Sequence, residues 1–210
     1  MEEKVRAILE ILENRYPESM CALHYDKDYE LMIAVRLSAQ CTDARVNLVT
    51  PALFAAYPTL EAMAAAPIED VENYVRSCGF YKHKARDIVL ACQMLLSDYG
   101  GKVPGTMEEL LRLPGVGRKT ANLLLGDLYR VPGSVVCDTH CIRISNLLGL
   151  ARGKEPEKVE RQLRDILPPE ESSDFCHRIV LHGRAVCVAR KPQCANCTLA
   201  PWCDHFHSAK

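Results

Sequence analysis

Long apolar runs are missing from this chain of 210 residues. None approaches the roughly 20 residues that a helix needs to span a bilayer, so a membrane-spanning helix is not expected. The opening MEEKVRAILE is acidic and amphipathic and lacks the layout of a secretory signal, so the expected location is cytoplasmic. A net charge of one sign is missing too: 26 basic residues face 27 acidic ones, for a formal charge of −1. Nucleic-acid binders usually carry a basic excess, so the sum alone speaks against one. Strand signals are nearly absent, because GSVVC (133–137) is too short to build a sheet. Repeats and low-complexity linkers are absent as well, which excludes solenoids and disordered arrays.

What remains is the helical period. Val5, Ile8, Leu9 and Leu12 share one face of a first helix. LMIAVRLSAQ (31–40) reads as a mostly buried helix, and KARDIVLACQMLLSDYGG (84–101) as an amphipathic one stopped by Gly100-Gly101. Thr106 and Glu109 have the spacing of a capping box. TANLLLGDLYR (120–130) reads as another buried helix. EKVERQLRDIL (157–167) pairs Glu157 with Arg161 and Glu160 with Arg164, the mark of a solvated face. Most prolines fall near helix ends. The expected class is all-α with short connections.

The charges are unevenly spread. RSCGFYKHKAR (76–86) holds Arg76, Lys82, Lys84 and Arg86 and no acid. RLPGVGRK (112–119) and HGRAVCVARK (182–191) add further cations, while acids collect in stretches such as PPEESSD (168–174). One basic face and an acidic back fit this pattern, and a basic face suits a polyanion.

Eleven cysteines, an odd number, argue for a metal or redox site rather than a disulfide framework. Cys187, Cys194, Cys197 and Cys203 crowd near the C-terminus. Four thiolates so spaced can close on one metal centre, zinc or iron–sulfur. The lack of paired CxxC knuckles leans toward iron. The other cysteines read as small core fillers.

LPGVGRKTAN (113–122) makes a glycine bend at the mouth of a helix. The first-turn N–H groups of such a helix bind phosphate. Lys119 sits in that turn: a solvated lysine, or an amine placed to attack carbon. Attack needs the unprotonated amine, which a helix N-terminus and a neighbouring cation favour. Asp138, ahead of the run THCIRISNLLGL, reads as an N-cap. A capping carboxylate is also rigid enough to assist proton transfer and stabilise a developing cation.

Taken together, LSAQCTDARVN (37–47), CGFYKHKA (78–85), LPGVGRKTAN (113–122), CDTHCIR (137–143), LHGRAVC (181–187) and the four-cysteine loop resemble the endonuclease III family of helix-hairpin-helix DNA glycosylases. The resemblance covers almost the whole chain. It implies two helical domains flanking a DNA-binding cleft. One is a six-helix domain, residues 21–132, holding the hairpin; the other, residues 1–20 plus 133–210, holds a [4Fe-4S] cluster. Lys119 matches the family's Schiff-base lysine, Asp138 its catalytic aspartate, and Cys187, Cys194, Cys197 and Cys203 its cluster ligands. Gln40 and Phe80 match side chains that fill the gap left by a flipped nucleotide. Phe80 stands where the family often has leucine. Gly115, Gly117, Lys82, Lys84, Arg118 and Arg184 are expected to meet DNA.

The resemblance further implies base excision repair by a monomer: removal of oxidised pyrimidines from double-stranded DNA, then nicking 3′ to the abasic site. The protein would be nucleoid-associated when bound to DNA. An adenine-specific mismatch glycosylase shares the cluster and hairpin but typically lacks a lysine where Lys119 stands. A non-catalytic, cluster-bearing DNA-binding or redox-sensing protein would leave Lys119 and Asp138 without a role, and visible absorption would separate a zinc-bearing structural module from an iron one. Cys137 and Cys141, which flank Asp138, fit either core packing or an oxidation switch.

Overall fold

The structure, a computed structural model, describes residues 1–18 and 20–208. The helical period is realised almost throughout, and no strand occurs among the described residues. GSVVC is instead an irregular connection whose Val135, Val136 and Cys137 are buried. No helix among the described residues is long and apolar enough to cross a membrane.

Two compact units divide the chain, Met1–Met20 with Arg130–Lys210, and Cys21–Tyr129. The first begins with α1 (Glu2–Arg15), which buries Val5, Ile8, Leu9 and Leu12. The second unit follows with α2 (Asp28–Ser38), α3 (Asp43–Ala56), α4 (Leu60–Ala64), α5 (Ile68–Val75), α6 (Tyr81–Asp98), α7 (Met107–Leu110) and α8 (Arg118–Tyr129). The chain then returns to the first unit as α9 (Thr139–Leu148), α10 (Pro156–Ile166), α11 (Ser172–Ala185) and the short α12 (Asp204–Ser208).

In the second unit α2 is buried nearly all round over its apolar run 31–35 and packs against α3, α6 and α8. That is where a stretch without a polar stripe belongs. It stops at Ser38, two residues before the end its sequence suggests, and Gln40 falls in the turn that follows. α6 starts three residues early, at Tyr81, and lies on α4 and α5. Its stop is the expected one: Gly101, at φ +80°, donates its N–H to the Leu95 carbonyl (2.8 Å). Thr106 accepts from the Glu109 N–H (3.3 Å) and donates to the Glu109 carboxylate (2.7 Å), which starts α7. Pro51 departs from the pattern at helix ends, since it lies inside α3.

In the first unit α11 packs on α1 and α9. The close approach to α9 depends on Gly183, where an ideal Cβ would lie 2.4 Å from His140 Nδ1 and 2.9 Å from Ile144 Cδ1. The reading of α10 as solvated holds only in part. Glu160 is buried and meets Arg164 at 3.1 Å, so this pair sits at the edge of the core.

Candidate active site

The hairpin is anchored by apolar side chains and turned by one left-handed glycine. Leu113 and Val116 are buried, and the Val116 N–H donates to the Leu113 carbonyl (3.1 Å). Between them Gly115 has φ +76°, a region that residues with a Cβ avoid. Beneath it lies an ion pair that joins α2 to α6: Arg36 Nε and Nη2 donate to Asp87 Oδ2 at 2.9 and 2.6 Å. A Cβ on Gly115 would sit 2.4 Å from Arg36 Nε and 2.8 Å from Asp87 Oδ2. Gly117 is different. It has no positive φ, and nothing lies within 4 Å of its missing side chain. The fold needs Gly115, whereas Gly117 keeps surface open beside the first turn of α8.

Arg118 and Lys119 occupy that first turn, and both are exposed. Asp138 belongs to the other unit. It is half-buried and caps α9, with Oδ1 accepting the Cys141 N–H at 2.7 Å. Among the other expected contacts, Lys82 and Arg184 are exposed.

Gln40 and Phe80 are exposed and share an unusual backbone. Their φ values are +55° and +47°, the left-handed region that non-glycine residues seldom enter. Phe80 is 66% exposed, a large apolar ring held in water. Lys84 corrects the expected set. It is wholly buried, with Nζ donating to the Leu37 and Cys78 carbonyls at 2.8 Å each. Burial pushes its pKa down. It offers no cation to a ligand at the surface.

Cys187, Cys194, Cys197 and Cys203 line one apolar pocket with Leu147, Val186 and Phe206. Among the described residues, no three His, Cys, Asp or Glu side chains are set to hold a single metal ion. Two of the four thiols have polar side-chain neighbours that sequence reasoning missed. Arg143 donates to Cys187 Sγ (3.4 Å) and to its carbonyl (2.7 Å). His182 Nε2 lies 3.5 Å from Cys197 Sγ, and burial lowers the His182 pKa to about 4. Arg143 stood inside the quoted CDTHCIR stretch, but its spacing gave no sign of what it would touch. A thiolate-held centre of net negative charge suits this donor set, with a guanidinium against one thiol.

Behind Asp138, Cys137, Cys141 and Cys176 are all buried. The contact with Cys141, and then burial, hold the Cys137 thiol far above its usual pKa. For Cys141 the contact with Cys137 works downward, but Cys176 and burial together outweigh it and raise that thiol as well. Thiols so placed carry little thiolate, which is the reactive form. That is the environment of a core filler.

Residues 33–169 match the HhH-GPD superfamily base excision DNA repair proteins. The chain belongs to that superfamily. It is 44% identical to endonuclease III of Synechocystis over 96% of its own length and 92% of the relative's. For endonuclease III of Escherichia coli the figures are 39%, 94% and 93%. The solved structure of a trapped endonuclease III–DNA covalent intermediate is similar at a TM-score of 0.92 and 41% identity, covering 100% of this chain and 98% of that one. A thermostable thymine-DNA glycosylase shares the fold at a TM-score of 0.80 and 21% identity, over 97% of this chain and 95% of that one. Within the superfamily, this chain is a member of the endonuclease III family.

Proposed function

We propose that this base excision repair enzyme, a DNA glycosylase with AP lyase activity, removes oxidised pyrimidines with Lys119 as nucleophile and Asp138 as its carboxylate partner. The observation that carries the reading is the position of Lys119. It is exposed in the first turn of α8, directly after the Gly115–Gly117 hairpin, in a chain closely similar to a protein trapped covalently on DNA.

The chemistry follows from the groups. Lys119 Nζ attacks C1′ of the damaged nucleotide, and the bond from C1′ to the base breaks. The base leaves with the bonding pair and takes up a proton. Asp138 accepts the proton that the amine releases and balances positive charge on the sugar. Ring opening gives a protonated Schiff base between Nζ and C1′. That cation acidifies C2′; loss of the C2′ proton drives electrons toward C3′, and the C3′–O bond breaks with departure of the 3′ phosphate. Water then releases Lys119. Damaged pyrimidines stack weakly, so flipping them out is less costly. Gln40 and Phe80 fill the gap they leave. Lys82, Arg118 and Arg184 contact phosphates, and their attraction is weakened by salt.

Cys187, Cys194, Cys197 and Cys203 would hold a [4Fe-4S] cluster, which would act as a cross-link that shapes the 187–203 loop. Purified protein is expected to contain iron and acid-labile sulfide in equal amounts and to absorb broadly in the visible. Zinc without visible absorption would correct the assignment.

The test of the function is covalent trapping. Protein is mixed with a duplex carrying one thymine glycol, or one abasic site, in the presence of borohydride. A cross-linked band on both supports a bifunctional enzyme for oxidised pyrimidines. A band on the abasic duplex alone would mean another base substrate, and no band on either would remove the Schiff-base mechanism.

The hairpin glycines give a paired prediction. Gly115→Ala is expected to destabilise the protein by roughly 1–2 kcal/mol from the left-handed backbone alone, with the Arg36 contact adding to it. Gly117→Ala is expected to leave stability within about 0.5 kcal/mol and yet weaken duplex binding. Urea unfolding beside a binding titration checks both. Equal effects of the two variants on stability would show that Gly117 serves the fold as well.

A further inference from the structure

Gln40 and Phe80 lie on turns far apart in sequence, yet one side chain touches the base of both. Leu37, whose carbonyl accepts from Lys84, is in the last turn of α2, three residues before Gln40. Cys78, the second acceptor, is two residues before Phe80. Both acceptors are 2.8 Å from the same Nζ. The two turns are thus joined through one atom, and each carries a residue in the left-handed region.

Nothing in the packing of α6 calls for a charge at this position. Lys84 is in phase with Ile88, Cys92 and Leu95, the buried face of the helix, and an aliphatic residue would fill the same space. Burying an ammonium costs several kcal/mol unless it is well hydrogen-bonded. Residues in the left-handed region persist only where the surroundings over-determine them. What the ammonium supplies, and an aliphatic side chain could not, is a pair of directed donors that fix two backbone segments at one spacing.

We propose that Lys84 is a positioning residue that locks the Gln40 and Phe80 turns together, so that the two side chains enter the duplex as one unit. This rests on the reading of Gln40 and Phe80 as the gap-filling pair. Lys84 itself touches no DNA, because it is 0% exposed. Its effect on repair passes entirely through the two turns.

A double-mutant cycle tests it. Lys84→Met removes the donors at similar volume, and Lys84→Gln keeps an amide donor. Each is made in the parent and in a Gln40→Ala/Phe80→Ala background. The readout is the fluorescence of an adenine analogue beside a thymine glycol, which rises when the lesion is flipped out. Thermal unfolding of every variant runs beside it. In the parent, Lys84→Met is expected to reduce flipping about tenfold, the scale of one lost charge-assisted hydrogen bond, and Lys84→Gln to recover part of it. In the Gln40→Ala/Phe80→Ala background, Lys84→Met is expected to change flipping by less than about twofold, since coupled residues are non-additive. Equal losses in both backgrounds, or no loss in the parent, would overturn the positioning role while leaving the gap-filling pair intact. Normal flipping by Gln40→Ala/Phe80→Ala alone would instead remove the gap-filling reading, and the inference with it. If Lys84→Met fails to fold, the same comparison is made with Lys84→Gln, which is expected to lose flipping in the parent only.

Discussion

A Lys119→Ala variant is expected to fold and bind a duplex with an abasic site, yet give no borohydride-trapped band and no nick. Lys119 is exposed in the first turn of α8, so alanine there leaves no buried space empty. Alanine is also the best helix former, so thermal stability is expected to be unchanged. The rate of strand cleavage at an abasic site should fall about a thousandfold or more, as it does when a covalent nucleophile is removed. Lys119→Arg is the needed control, because it keeps the charge and loses the nucleophile. It should bind as the parent does and still fail to trap. Single-turnover cleavage beside a gel-shift titration reads both quantities. A trapped band from Lys119→Ala would assign the Schiff base to a different amine.

The second large effect is expected from Asp138→Asn. Asp138 has two jobs, and asparagine separates them. Its Oδ1 holds the first turn of α9 through the Cys141 N–H, and asparagine caps a helix about as well as aspartate. What asparagine cannot do is accept a proton or oppose a cation with full charge. Base excision is therefore expected to slow by about 10²–10⁴-fold, the range for lost acid–base assistance, while the unfolding midpoint stays within a degree or two of the parent's, by analogy with neutral surface changes. Asp138→Ala should show the same loss of activity plus about 1 kcal/mol of instability from the missing cap. If Asp138→Asn retained full activity, the carboxylate would be a cap and nothing more.

Local patterns made much of this molecule legible from its sequence. The buried face of α1, the Gly101 stop of α6, the Thr106 cap and the cap at Asp138 each depend on residues within a turn or two of one another. The glycine bend and the four crowded cysteines are equally local. The structure departs from these patterns mostly through contacts between elements, with Lys84 the exception. Lys84 sat in a basic run and was counted with the surface, although its phase with Ile88 and Leu95 already placed it on the buried face. Glu160 was read as solvated from its i,i+4 partner, and only the tertiary packing buries it. The Arg36–Asp87 pair beneath Gly115 spans 51 residues, and no spacing rule joins such a pair. A lone arginine inside the apolar run LMIAVRLSAQ was the one available signal. Backbone strain was the least visible of all: nothing in the letters of Gln40 or Phe80 announces a positive φ.

The cap at Asp138 also bears on how this gene can fail. Aspartate and asparagine codons differ by a single G-to-A transition, the change that follows deamination of a cytosine on the opposite strand. Many changes that cost activity act by destabilising the fold, which lowers the amount of protein in the cell. This one is expected to yield a chain that keeps its helix cap and its grip on DNA. Such an allele would occupy lesions without repairing them, so its carriers should mutate faster than those in which the gene is deleted.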